Sequence, residues 1–138
     1  MRRVILESPF AGDIEAHVAY ARRCLRDCLA RGEAPIASHL LYPQILDDSI
    51  AAERALGIAA GLGWLRLAEA MVAYIDYGLS PGMRAAMEAA EKLSLPIERR
   101  QTSRFKEFPQ PRKSAQPKAP ISSASQPTRC SNESSSQV

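Results

Sequence analysis

The residues best equipped for chemistry lie in the run Asp76-Tyr77-Gly78-Leu79-Ser80-Pro81-Gly82-Met83. Ser80 suits a helix N-cap and Pro81 the first helical position. Gly82 adds no side chain to block the helix end. The N–H groups of Gly82 and Met83, the Ser80 hydroxyl and the positive end of the helix dipole would together hold an anion such as a phosphate. The same residues also suit a well-capped helix start that binds nothing. A second segment, Glu7-Ser8-Pro9-Phe10-Ala11-Gly12-Asp13, offers a carboxylate, a hydroxyl and an aromatic ring able to stack on a base. Gly12 lets backbone approach a ligand closely, although a simple turn leading into a helix cap has the same composition. A third segment carries Ser38, His39, Tyr42, Asp47 and Asp48. Its polar groups suit sugar hydroxyls, while a structural histidine and a pair of capping aspartates are the plainer account.

These segments need elements to position them. Arg3–Leu6 is a short apolar run, read as a first strand, and Asp13 caps a helix. Ile14, Val18, Ala21, Leu25 and Leu29 fall on one side of that helix at helical spacing, and Gly32 ends it. Pro35–Ser38 reads as a brief second strand. A second helix is expected from about Ser49 to Glu69, with Gly57, Gly61 and Gly63 weakening it by about 1 kcal/mol each. That pattern predicts a break or a close helix contact near Gly57. Met71–Ile75 reads as a third strand, Ser80 to about Leu93 as a third helix, and Leu95–Glu98 as a last strand at a sheet edge because of Pro96. Met83, Ala86, Met87, Ala90 and Leu93 make the apolar stripe of the third helix.

Strand–helix–strand alternation with continuous apolar strands predicts an α/β domain, a four-stranded parallel sheet covered on both faces, over residues 1–100. Ligands of such sheets bind beyond the carboxyl ends of the strands. The three segments named above are the ones that follow strands one to three.

Composition bounds the function further. Residues 1–100 hold twelve Lys and Arg against thirteen Asp and Glu, whereas residues 101–138 hold six against two. The basic character therefore belongs to the Ser- and Pro-rich C-terminal segment, expected to be a disordered tail from about residue 103. That tail could touch an acidic partner or RNA, or simply be solvated. The near-neutral remainder gives no charge argument for nucleic-acid binding. No apolar run approaches the roughly 20 residues needed to span a bilayer, and the start lacks the apolar stretch of a signal peptide, so a cytoplasmic protein is expected. Cys24 and Cys28 have no second Cys/His pair at ligand spacing, so no metal site is expected, and no cofactor is called for.

Taken together, the motifs resemble the nucleoside 2-deoxyribosyltransferase-like superfamily, and more closely an uncharacterised phage and bacterial family of that type. The resemblance rests on Glu7–Phe10, Ala37–Tyr42, Glu53-Arg54 and Asp76–Met83, and covers about residues 3–100. It implies a flavodoxin-like three-layer fold, a sugar lying over the strand ends, Ser80 and Gly82 meeting a phosphate or the sugar's 5′ side, and Asp76 contacting the sugar or assisting the leaving base. It also implies a homodimer. In the enzymes of that superfamily a glutamate four residues after the glycine attacks the anomeric carbon, and here that position is Ala86. Glu88 is the nearest acid, but two helical residues turn it about 200° away.

The expected ligand is therefore a nucleoside or nucleotide. Asp76 and Glu7 are the candidate catalytic groups, and Ser8, Phe10, Gly12, Ser38, His39, Asp48, Ser80, Gly82 and Met83 the candidate ligand-binding residues. Three functions are compatible with the sequence. The first is a binding domain without the covalent route. The second is an N-glycosidase or deoxyribosyltransferase whose carboxylate comes from Glu7, Asp48 or Asp76. The third is an interaction protein acting through its tail.

Overall fold

The centre of the sheet is formed by the two most apolar runs. β1 (Arg2–Glu7) buries Val4, Ile5 and Leu6, and β3 (Ala70–Tyr74) is buried along its whole length. In the computed structural model, which describes residues 1–105, these strands are flanked by β2 (Glu33–Ile36) and β4 (Ile97–Arg100) in the order β2-β1-β3-β4. All three pairings are parallel. The α/β class and the four-stranded parallel sheet expected from the sequence are those found.

Alternation along the central strands divides the core in two. Val4, Leu6, Val72 and Tyr74 face α1 (Ile14–Ala30), where they meet Tyr20, Cys24 and Cys28. Ile5, Met71 and Ala73 face the opposite layer, where α3 (Pro81–Lys92) contributes Met83, Ala86, Met87 and Ala90. α2 (Ala51–Gly63) continues into a short 3-10 turn, Trp64–Leu67, which buries Leu65 in the same cluster. No helix among the described residues is long and apolar enough to cross a membrane.

Several local expectations are corrected. On α1, Ile14 and Leu29 are exposed, and the buried face is Tyr20, Ala21, Cys24, Asp27 and Cys28. Two of these are polar, and each buried polar group has a partner, as burial requires. The Tyr20 hydroxyl donates to Asp76 at 2.5 Å, and the Tyr74 hydroxyl donates to Asp27 at 2.6 Å. On α3, Leu93 lies outside the buried stripe at 39% exposure. The second helix stops at Gly63 rather than Glu69, because the chain tightens into the 3-10 turn. Glu69 then accepts from the Arg3 backbone N–H at 2.9 Å. β2 begins two residues earlier than expected, and β4 is Ile97–Arg100 rather than Leu95–Glu98. Contacts continue past residue 100. Thr102 bonds to Asp76, and the Phe105 ring lies 5.8 Å from that of Tyr74. The packed unit thus extends to Phe105, and the expected tail beyond it lies outside the described residues.

Candidate functional site

Glu7 is the last residue of β1, and its place in the alternation directs it to the α2–α3 side of the sheet. There it lines a cavity of about 370 Å³, within the usual range for small-molecule sites. The cavity lies where the strand ends predict it. Glu7, Ser8 and Phe10 come from the end of β1, Ser38 and His39 from the turn after β2, Ser80, Gly82 and Met83 from the start of α3, and Asp48 from the loop before α2. Nine of the eleven candidate residues are thus brought together.

Glu7 is the cavity's chemically distinctive group. Its carboxyl makes no hydrogen bond to any described residue, and burial alone pushes its pKa up to about 7. Beside it, the Ser8 hydroxyl and His39 Nε2 are 2.8 Å apart. Burial lowers the His39 pKa to about 4, so the ring is neutral at ordinary pH. His39 Nδ1 is buried without a partner among the described residues. Phe10 packs edge-on against this imidazole, with centroids 6.3 Å apart.

The α3 start is built as its sequence predicts, with one correction. Ser80 is the N-cap and its Oγ accepts from the Met83 N–H at 3.2 Å. That N–H is therefore committed to the cap, and Pro81 has none. The donors left for an anion are the Gly82 N–H and the Ser80 O–H. The Met83 side chain is core, at 1% exposure.

Two candidates lie elsewhere. Gly12 does not line the cavity; its φ of +94° makes the turn that brings Asp13 to its cap position, where Asp13 accepts from Ala16 N–H at 3.1 Å. Asp76 does not line the cavity either. Its carboxylate accepts from the Tyr20 hydroxyl, from Thr102 Oγ1 at 2.8 Å and from Thr102 N–H at 3.0 Å. Burial works to raise its pKa, but the bonds from Tyr20 and Thr102 outweigh it and hold the group below the usual carboxylate range. Asp76 ties β3 to α1 and to the chain after β4, so its oxygens are spoken for.

The fourth wall comes from α2, through Arg54, Gly57, Ile58, Gly61 and Leu62. Sequence reasoning did not place Arg54 or the glycines at the site. A Cβ on Gly61 would stand 2.8 Å from Ser38 Oγ, and one on Gly57 would stand 3.3 Å from Leu46 Cδ1. The glycines therefore mark close packing, not a break, and their four-residue spacing on one helix face was the available signal. Asp47, paired with Asp48 in the sequence, instead closes its own turn, accepting from Ser49 N–H and Oγ.

Residues 2–100 match one family along nearly the whole of the sheet and all three sheet-end segments. The chain belongs to the family described as Domain of unknown function (DUF7768). A search of curated proteins finds no match. Among solved structures, the DUF7768 domain is similar in fold to a 2-deoxyribosyltransferase from the psychrotolerant bacterium Bacillus psychrosaccharolyticus. The TM-score is 0.55, with 20% sequence identity over 72% of each chain. In the DUF7768 domain, Ala86 forms part of the cavity wall and is 8% exposed, whereas Glu88 faces solvent on the far side of α3. Glu7 and Asp48 are the carboxylates that line the cavity.

Proposed function

We propose that this domain binds a nucleoside or nucleotide in the cavity at the strand ends, and does so without a nucleophile on α3. The observation that carries the reading is the convergence of three sheet-end segments on one cavity whose α3 wall presents Ala86. The Ser80–Gly82 donors suit an anionic group, and Phe10 and Tyr42 supply aromatic surface for a base. The likeness to a 2-deoxyribosyltransferase supports a ligand of this class. Titration calorimetry of the four nucleoside 5′-monophosphates and their nucleosides tests it. Saturable binding is expected, tighter for the monophosphates, and Gly82→Leu should remove the preference for phosphate. Equal affinity for nucleoside and monophosphate would refute the phosphate assignment.

A second reading, an active N-glycosidase, is favoured by the Glu7 carboxyl, which has no partner among the described residues. With a pKa near 7 it matches what general acid–base catalysis requires. Such help is worth about 10²–10⁴-fold. Base release from purine and pyrimidine nucleotides distinguishes the two. Under the first reading the natural protein is silent, and a folded Ala86→Glu protein gains turnover. Brisk turnover by the natural protein that is lost in Glu7→Gln selects the second.

A further inference from the structure

Strand order turns the three segments into a row. Ser80–Met83 follows β3, Glu7–Phe10 ends β1, and Ser38–His39 follows β2, and these strands are consecutive neighbours across the sheet. Adjacent strands lie about 4.8 Å apart, so the row spans about 10 Å, with Glu7 in the middle. The anion donors, Gly82 N–H and Ser80 O–H, stand at one end. Ser38 and His39 stand at the other, where the Phe10 ring leans from the middle segment against the His39 imidazole, and Tyr42 of the following turn lines the same cavity.

Two ionisable members of the row have side-chain polar atoms without a protein partner among the described residues, His39 through Nδ1 and Glu7 through its carboxyl, and Glu7 is the one able to carry charge there. A cavity carboxylate left this way lacks hydrogen bonds that a ligand can supply. As an ionised acceptor it calls for O–H or N–H donors, and its two oxygens can take two at once. The part of a nucleotide one strand spacing from its phosphate is the sugar, which carries a pair of neighbouring hydroxyls.

Resting on the nucleotide-binding reading above, we propose that Glu7 recognises the sugar: its carboxylate accepts hydrogen bonds from the ribose hydroxyls of a nucleotide laid across the sheet end, phosphate toward Gly82 and base toward Phe10 and Tyr42. The ligand class is a nucleotide with free 2′ and 3′ hydroxyls. Glu7 is a specificity determinant, whether or not a bond is then cleaved. Tyr42, Asp48, Arg54 and neutral His39 are the other ionisable groups facing the same space.

The test is calorimetry above neutral pH, where Glu7 is ionised, with adenosine, guanosine, cytidine and uridine 5′-monophosphates and their 2′,3′-dideoxy counterparts. For the natural protein, loss of both hydroxyls should weaken binding about ten- to hundredfold, the worth of hydrogen bonds to a charged group. In Glu7→Leu, of similar size but with no acceptor, ribo and dideoxy forms should bind within about threefold of each other. If that variant does not fold, Glu7→Gln should show a discrimination clearly smaller than the natural protein's. Equal binding of ribo and dideoxy forms by the natural protein overturns the sugar assignment while leaving the nucleotide reading intact. Full discrimination retained in a folded Glu7 variant overturns it too. Absence of saturable heat for every nucleotide with folded natural protein removes both readings.

Discussion

At the scale of single residues, Glu7 and His39 line one cavity, and burial shifts them in opposite directions. Glu7 is raised from 4.5 to about 7, so between those values the folded state keeps a proton that the unfolded chain has released. Its contribution therefore makes stability fall as pH rises through that window. His39 is lowered from 6.5 to about 4, so below 6.5 the unfolded chain takes up a proton that the folded state refuses. Its contribution makes stability fall as pH drops toward 4. The two slopes oppose each other where the windows overlap, and single substitutions expose them. Relative to the natural protein, Glu7→Gln should gain about 1–3 kcal/mol more at about pH 7.5 than at about pH 5. His39→Gln should shift the opposite way. Urea denaturation at both pH values measures this, and a Glu7→Gln difference that does not change with pH contradicts the burial of Glu7. Asp76 yields a prediction of another kind. Its carboxylate accepts from Tyr20 and twice from Thr102, so Asp76→Ala should cost roughly 1–3 kcal/mol through unsatisfied donors. Ligand affinity should be changed little in the protein that remains folded. Segment composition located Glu7, Ser8, His39 and Ser80 because strand ends, turn chemistry and capping are local signals. The same composition could not show that Asp76 lies outside the cavity, because its partners Tyr20 and Thr102 are 56 residues before it and 26 after it.

At the scale of elements, α2 is the wall whose position fixes the cavity's width. Gly61→Ala would place a Cβ 2.8 Å from Ser38 Oγ and 3.1 Å from Ser38 Cβ, so either the helix or the Ser38–Leu40 turn must move. The cost should be about 1–3 kcal/mol, accompanied by weakened nucleotide binding. Gly63→Ala is the control. Nothing lies within 4 Å of its added Cβ, and the gain in helix propensity should leave the protein unchanged or up to about 1 kcal/mol more stable. Thermal unfolding of both variants checks the pair. If Gly61→Ala is no worse than Gly63→Ala, α2 does not pack against Ser38 as described. The glycines were visible in the sequence but not their neighbour, since Ser38 approaches α2 only through the tertiary fold. Element types were legible for a similar reason: β1, β3 and α3 bury apolar groups on a regular period. β4 was misplaced by two residues because Leu95 looks like the apolar start of a strand and Arg100 like a loop residue until its ion pairs with Glu33 and Glu98 are known. Glu98 accepts from Arg100 at 2.6 Å and from Arg2 at 2.5 Å.

At the scale of the whole molecule, the chain after β4 belongs to the packed unit. Thr102 and Phe105 fasten it to Asp76 and Tyr74. A protein ending at residue 105 should therefore unfold at the same denaturant concentration as the full chain. One ending at residue 100 should be less stable by about 2–4 kcal/mol, the sum of lost hydrogen bonds and aromatic burial. Equal stability of the two truncations would place the boundary at residue 100. The charge pattern has a further consequence. Arg100 on β4 reaches over two intervening strands to hold Glu33 of β2 through two 2.7 Å bonds, and Arg2 of β1 joins Glu98 beneath it. Outer strands of a parallel sheet ordinarily fray independently, each opening at its own small free energy. Here the two margins are clasped to each other, so neither can open without releasing the other. Amide hydrogen exchange should find Ala34–Ile36 and Glu98–Arg100 opening together, as a single cooperative unit, and because Arg2 also bridges Glu33 and Glu98, it is Arg100→Leu combined with Arg2→Leu that should split them into two margins that exchange at unrelated rates.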